Sequence, residues 1–136
     1  MRERTSFEYA ILRVVPRVER EEFINAGVVL FCLARDFLAA RVELDVARLR
    51  ALAPDVDVQL VKEHLDAFPR ICAGGPDSGP IGKLPLKERW HWLVAPRSTI
   101  VQVSPAHAGL CEAPELELEH LLDLMVRRPQ SMVPGP

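Results

Sequence analysis

The feature that most constrains this chain is an unbroken apolar run, Val-Val-Leu-Phe-Cys-Leu, at residues 28–33. Gly27 precedes the run, and an Arg-Asp pair follows it at residues 35–36. The run is too short for a membrane helix, which needs about 20 apolar residues. A short apolar run rich in β-branched and aromatic residues predicts a buried strand. The chain must therefore build a sheet around this strand.

Three further strands are predicted. Residues 7–15 are largely apolar on both alternating sides and end before Pro16, so they predict a central strand. Residues 37–44 alternate apolar and charged side chains, which is typical of a half-exposed antiparallel partner of the buried run. Residues 98–104 also alternate, and residues 105–113 after them are predicted to form a loop.

Helical periodicity replaces the alternation of the strands after Asp45. Asp45 suits the N-cap of a short helix over residues 46–52. A second helix is expected over residues 55–68, with Asp55 as its cap and Pro69 as the residue that stops it.

The remaining chain contains one loop and two segments that favour helices. Residues 73–85 hold four glycines and three prolines and predict a loop. Residues 86–94 are ambiguous: Pro85 suits a first helical residue, whereas a Trp-His-Trp triplet would also suit a strand, and we favour a helix. An initial proline, two early glutamates and two final arginines predict a last helix over residues 114–128.

This order of elements, β-β-β-α-α-(α)-β-α, predicts an α+β fold. We expect an antiparallel sheet of about four strands with helices packed mainly on one face. The length suits a single domain, which we place at residues 1–128. Residues 129–136 are expected to be a disordered tail.

The net charge of the chain limits the classes of partner that it is expected to bind. The net charge is −2 and the isoelectric point is near 6.1, so no overall positive field attracts nucleic acid. Residues 83–97 carry four basic residues and one acid, whereas residues 112–123 carry five acids and neither Lys nor Arg. Both segments are interpreted as solvated surfaces. Nucleic-acid binding through residues 83–97 is therefore the weakest functional hypothesis.

No cofactor, metal or membrane motif is recognisable in the sequence. No apolar stretch reaches membrane-spanning length, and the N-terminus has no apolar signal core. Cys32, Cys72 and Cys111 are odd in number and widely spaced, which is typical of reduced thiols rather than of disulfides or a zinc site. We expect no cofactor, no metal, no membrane association and a cytoplasmic location.

The candidate site consists of polar residues next to apolar segments. Arg13 interrupts an apolar strand, and a buried arginine needs a carboxylate or phosphate partner. One interpretation is a salt bridge to Glu22 or another nearby acid. The other is an anion pocket that Arg13 shares with Arg97 and Ser98. The candidate ligand-binding residues are Arg13, Asn25, Arg97, Ser98 and His107.

Two further motifs have a structural and a functional interpretation. Asn25-Ala26-Gly27 favours a tight turn, because Asn and Gly tolerate positive φ. His107 lies in a predicted loop shortly before Cys111, so the two could form a nucleophile pair. No third group is evident to orient the histidine, so no catalytic residue is assigned and an enzyme is not favoured.

Three patterns together carry a resemblance. They are Tyr-x-x-Leu-Arg-x-x-Pro from residue 9, Phe-x-Asn-x-Gly-Val-Val-Leu from residue 23, and Pro-Arg-Ser-x-Ile-x-Gln-x-Ser-Pro from residue 96. The combination resembles a family of short bacterial proteins that is catalogued only as a domain of unknown function. The resemblance implies a bacterial cytoplasmic protein without an established activity.

The resemblance also has implications for a partner and for one helix. Proteins of this kind are associated with neighbouring genes for kinase-like toxins, so it implies a kinase-like toxin as protein partner. The family has an acidic residue just before the proline that opens the last helix. Ala113 stands there in this chain, so that cap is expected to be missing.

Two main functions remain. The first is a protein-binding or accessory module, which small size, near-neutral charge and the absence of a catalytic motif favour. The alternative is an enzyme or sensor that binds a nucleotide or another phosphorylated ligand in an arginine-lined pocket.

Overall fold

A five-stranded antiparallel sheet forms the centre of the structure, a computed structural model that describes residues 3–129. Apart from Pro129, the predicted tail at residues 129–136 lies outside the described residues. The strands are β1 (Thr5–Val14), β2 (Ile24–Cys32), β3 (Phe37–Val42), β4 (Val101–Val103) and β5 (His107–Cys111).

β1 is the central strand, as its sequence predicts. β2 and then β3 follow on one side of it, and the other side is shared by two short strands. β4 pairs with residues 12–14 of β1, and β5 pairs with residues 5–9. β4 confirms a strand within residues 98–104, but the loop predicted for residues 105–113 is wrong where β5 forms. The His-Ala-Gly-Leu-Cys sequence of β5 has little strand propensity of its own, so its extended form depends on pairing with β1.

Helices cover both faces of the sheet. Three pack on one face and α4 packs on the other, which confirms an α+β fold with helices mainly on one face. A helix also forms within residues 86–94, as favoured above. None of the helices within residues 3–129 is long and apolar enough to span a membrane. The helices are α1 (Val46–Leu52), α2 (Val58–Ala73), α3 (Leu86–Leu93) and α4 (Pro114–Met125).

Short 3-10 turns occupy parts of the connections. They are Val18–Arg20, Leu33–Arg35, Pro76–Ser78 and Ile81–Lys83. The last two lie in the loop predicted from glycine and proline content.

The side chains of β1 divide between two apolar cores. Leu12 and Val14 are fully buried on the face that α1, α2 and α3 cover. Phe7 and Ile11 point to the opposite face and pack in the cluster that contains Leu122 of α4. Because strand side chains alternate in direction, a strand that is apolar on both sides needs cover on both sides.

α2 differs from the prediction at both ends. Asp57, not Asp55, caps the helix and accepts a hydrogen bond from the Leu60 amide at 3.1 Å. The helix also continues past Pro69, which was expected to stop it. A proline inside a helix costs about 3 kcal/mol. The turn beyond it buries Ile71 in the core, which offsets part of that cost.

α4 begins without a side-chain cap. Ala113 is its N-cap residue and makes no capping hydrogen bond, as expected from its missing side-chain oxygen.

Asn25, Ala26 and Gly27 lie inside β2, so the turn predicted for them is wrong. The pairing of β1 with β2 skips Ala26, which makes this residue a β-bulge. Gly27 is needed because β2 and β3 approach each other closely here, and not because the residue adopts a positive φ. An added Cβ at Gly27 would lie 2.7 Å from the carbonyl oxygen of Arg41 on β3.

Ser104 occupies a second irregularity, between β4 and β5. Its Oγ accepts a hydrogen bond from the Ile11 amide at 2.8 Å, and its own amide donates to the Ile11 carbonyl at 2.9 Å. Ser104 is only 2% exposed. The hydroxyl therefore provides an acceptor for a buried N–H at the point where the two strands are out of step.

We expect Ser104→Ala to lower the free energy of unfolding by about 1–3 kcal/mol, because it leaves the buried Ile11 amide without an acceptor. Ser98→Ala is a matched control, since Ser98 is exposed and has no hydrogen-bond partner within residues 3–129. Its effect should stay within about 0.5 kcal/mol. Urea unfolding followed by circular dichroism measures both changes. Equal stability of the two variants would contradict this role of the Ser104 hydroxyl.

Two arginines beyond the end of α4 attach this helix to the segment after β3. Arg127 pairs with Glu43 at 3.1 Å and with Glu119 at 2.9 Å. Arg128 donates to Asp45 at 3.1 Å, and Asp45 also caps α1. The hydrogen bond from Arg128 and the one from the α1 backbone lower the pKa of Asp45 from 3.8 to about 2.

A lowered pKa means that the Asp45 carboxylate stabilises the fold above its unfolded pKa. This contribution is lost as the pH falls toward about 2. We expect Asp45→Asn, which keeps a capping side chain, to reduce the loss of stability between about pH 4 and pH 2. Urea midpoints measured across this range test the prediction. Asp55→Asn, at an exposed position that caps no helix, is the control. An Asp45→Asn profile as steep as that of the unchanged protein would refute it.

Candidate functional site

Arg13 lies on the face of β1 that α4 covers, and it is half-buried. Its guanidinium carbon is 4.3 Å from the centre of the Phe23 ring, while its Nε is buried without a hydrogen-bond partner. The salt bridge to Glu22 is not present, because Glu22 pairs with Arg20 instead. A cation–π contact, rather than a carboxylate, therefore accommodates the Arg13 charge.

Asn25 lies opposite Arg13 on β2. Its side-chain nitrogen donates to the carbonyl oxygen of Met125 at 2.9 Å, and its Oδ1 is buried without a partner. The final carbonyl groups of a helix have no partner inside that helix. Asn25 therefore anchors the end of α4 to the sheet.

Arg97 lies on the other face of the sheet, where it packs against α2 and α3. Its guanidinium carbon is 4.7 Å from the centre of the Trp92 ring and 5.5 Å from that of Phe68. Arg97 donates to the carbonyl oxygens of Trp92 at 2.7 Å and Leu93 at 3.2 Å. Ser98 beside it is exposed.

The sheet consequently separates the two arginines of the candidate site. Arg13 takes the α4 face because it alternates with Leu12 and Val14, whereas Arg97 follows α3 on the opposite face. The structure does not bring them together, so the shared anion pocket, one of the two interpretations of the sequence, is not assembled. Any anion site in this region would use one arginine without the other.

His107 and Cys111 do not form a nucleophile pair. Both lie in β5 rather than in a loop, and four strand residues span about 13 Å. His107 is exposed, with its ring centre 5.3 Å from that of Tyr9. Cys111 is 5% exposed, and burial raises the pKa of its thiol. A buried thiol with a raised pKa is a poor nucleophile.

We expect all three thiols to resist Ellman's reagent in the folded protein. Cys32, Cys72 and Cys111 are free and buried, and burial raises the pKa of Cys72 to about 12. The release of thionitrobenzoate with and without urea measures this protection. An Ala108→Cys variant places a thiol at an exposed strand position and is the reactive control. Rapid reaction of any native thiol in the folded protein would contradict the prediction.

A groove of about 630 Å³ lies between β5 and the start of α4. Two exposed leucines border it: Leu110 is 62% exposed and Leu116 is 70% exposed. Adjoining exposed apolar side chains with a polar rim are typical of interaction sites. We call this surface the β5 edge groove, and its lining includes Leu110, Glu112, Leu116 and Glu117.

The outer edge of β5 is open for pairing. The Ile11 carbonyl accepts a hydrogen bond from Ser104, so odd-numbered residues of β1 bond toward this edge. Odd-numbered residues of β5 face odd-numbered residues of β1. Because the hydrogen-bonding direction alternates along a strand, Ala108 and Leu110 direct their N–H and C=O groups away from β1. Within residues 3–129, no strand pairs with that side of β5.

The sequence of β5 lacks the charges and prolines that normally protect an edge strand. Natural edge strands are blocked by lysines, other charges, prolines or a covering segment. β5 contains no Asp, Glu, Lys, Arg or Pro. β3, at the other edge of the sheet, carries Arg41, which is exposed and paired with Glu119. The two edges of the sheet therefore differ in their availability to a partner.

The rim of the groove is acidic. Glu112 and Glu117 line it, and neither has an ion-pair partner among the described residues. Glu119 and Asp123 belong to the same acidic segment, but both pair with Arg127. Arg4 also lines the groove, but the glutamates outnumber it, so the rim carries a net negative charge next to the exposed leucines.

Sequence reasoning missed this surface. A loop at residues 105–113, which the sequence predicts, would offer no strand edge and would give Leu110 no place in a groove. The available indication was Leu116, an apolar residue that lies off the buried stripe of the last helix. The acidic segment was interpreted as solvated, because its neighbours in space are not visible in the sequence.

The fold defines the class of this protein: a small α+β domain whose antiparallel sheet is covered by helices on both faces. Within residues 3–129, no group of three or more His, Cys, Asp or Glu residues is arranged to hold a metal ion. The model of DUF3037, a family of proteins of unknown function, matches residues 9–126. The chain therefore belongs to the DUF3037 family, which confirms its resemblance to a domain of unknown function. No curated protein and no solved structure matches the chain significantly.

Proposed function

We propose that this protein is a protein-binding module that docks a partner in the β5 edge groove. The observation that carries the proposal is an unblocked strand edge bordered by two exposed leucines, Leu110 and Leu116. Isolated exposed leucines are common on protein surfaces. Two that share one groove with free backbone groups provide both apolar contact and hydrogen bonds for a partner.

The proposed occupant is an extended basic segment of the partner that adds a strand to β5. Main-chain pairing uses Ala108 and Leu110, while basic side chains of the partner meet Glu112 and Glu117. A second copy of this chain is a poorer occupant. Pairing two β5 edges would bring two acidic rims together, and like charges across an interface are unfavourable.

The family resemblance provides a first partner to test, a kinase-like toxin. The alternative function, a phosphorylated ligand held jointly by Arg13 and Arg97, has less support because the two arginines lie on opposite faces of the sheet.

We expect two separate substitutions to reduce partner binding at least about tenfold. Ala108→Pro removes an outward N–H that an added strand would use, and edge strands tolerate proline at such positions. Leu116→Ser removes apolar contact. Leu124→Ser is the matched control, because Leu124 is 60% exposed on the same helix but does not line the groove. Pull-down from the native host, followed by titration of the purified partner, measures the effect, and circular dichroism verifies the fold.

The outcomes separate the alternatives. Loss of the partner with Ala108→Pro and Leu116→Ser, but not with Leu124→Ser, supports the proposal. Equal binding by all variants, or no stoichiometric partner at all, contradicts it. A dimer of this chain that Ala108→Pro dissociates would show that a second copy, rather than a basic partner, occupies the edge.

A further inference from the structure

A second, smaller cavity lies on the opposite side of the molecule from the α4 core. It is bounded by α2, by the end of α3 and by β4, and its volume is about 200 Å³. Its walls are mainly apolar and include Phe68, Ile71 and Leu93, all buried residues of the core. Trp92 stands at its mouth and is 40% exposed.

Arg97 lines this cavity and brings a positive charge to its apolar walls. Its side chain is stacked against Trp92 and Phe68, and burial lowers its pKa. Within residues 3–129 no carboxylate pairs with it. The aromatic rings and the backbone carbonyl groups accommodate this charge but do not neutralise it, so it can still pair with an anion that enters the cavity.

The hydrogen bonds of Arg97 leave part of its guanidinium free. Nη2 donates to the carbonyl oxygens of Trp92 and Leu93, and Nε makes a long contact of 3.4 Å with that of Ala95. These bonds cap the end of α3. Nη1 has no partner within the described chain, so two of the five N–H donors remain for a ligand. Capping of α3 therefore accounts for Nη2 and Nε of Arg97, but it gives no role to Nη1.

We propose that this cavity binds a small aromatic carboxylate, with its ring in the apolar slot and its carboxylate on Nη1 of Arg97. The aromatic walls favour a flat apolar body, and the unpaired guanidinium favours an anion. Pockets for drug-sized ligands begin at about 300 Å³, so a cavity of about 200 Å³ takes a single ring rather than a whole nucleotide. This site is separate from the β5 edge groove and does not depend on partner binding there.

Benzoate and its neutral isostere benzamide are the probes. Titration of the full chain is followed through the indole N–H resonance of Trp92 in a nitrogen-15 correlation spectrum, assigned with a Trp92→Phe variant. We expect benzoate to shift this resonance saturably with a dissociation constant of about a millimolar, which is typical of so small a ligand. Benzamide should bind at least about tenfold more weakly, because it carries no charge for Arg97. No shift with benzoate, or equal affinity for the two probes, overturns the proposal.

Two variants test the cavity from different sides. Arg97→Gln removes the charge and should abolish the preference for benzoate over benzamide. Because Arg97 also caps α3, Ala67→Leu provides a second test that leaves every Arg97 hydrogen bond in place. Ala67 lines the cavity, so the larger side chain should fill it and abolish binding of both probes. Arg70→Gln, at an exposed position on the same helix and outside the cavity, is the control and should bind like the unchanged protein. Unchanged benzoate binding by Ala67→Leu overturns the proposed location.

Discussion

Every part of the sheet depends on the pairing of β1. This strand forms hydrogen bonds with β2 along one edge and with β4 and β5 along the other, and its side chains enter both apolar cores. Residues 10–14 of β1 are buried or half-buried, whereas Ser6 and Glu8 near its start are exposed. The positions of the helices follow from this constraint, because each face of β1 needs an apolar layer against it.

Two irregularities adjust this pairing and affect the surfaces of the protein. Ala26 bulges out of β2 next to Asn25, which reaches the end of α4. Ser104 separates β4 from β5 and satisfies the Ile11 amide with its side chain. The edge opposite β3 is therefore made of two short strands, of which β5 carries no protective charge. A surface that could bind a partner arises where the pairing of the central strand is least regular.

The arginines show why sequence alone could not assemble the candidate site. Arg13 is an unexpected charge in an apolar strand, and the sequence allows it to share an anion site with Arg97 and Ser98. The structure gives each a local solution: Arg13 stacks on Phe23, and Arg97 stacks on Trp92 while it caps α3. Their separation depends on which face each segment approaches, and that is a property of chain topology. The same limit hid the β5 edge groove, since Leu110 and Leu116 belong to different elements.

The sequence by itself determined the α+β class, the central strand, the buried strand after Gly27 and the order of most helices. These follow from periodicity and turn residues, which are local properties. Tertiary structure alone decided the form of β5, whose weak intrinsic preference is overridden by pairing with β1. It also decided the continuation of α2 past Pro69, where burial of Ile71 in the core offsets part of the cost of the proline. Packing and pairing energies depend on residues far apart in the chain, so they set the sheet edge and both candidate binding surfaces.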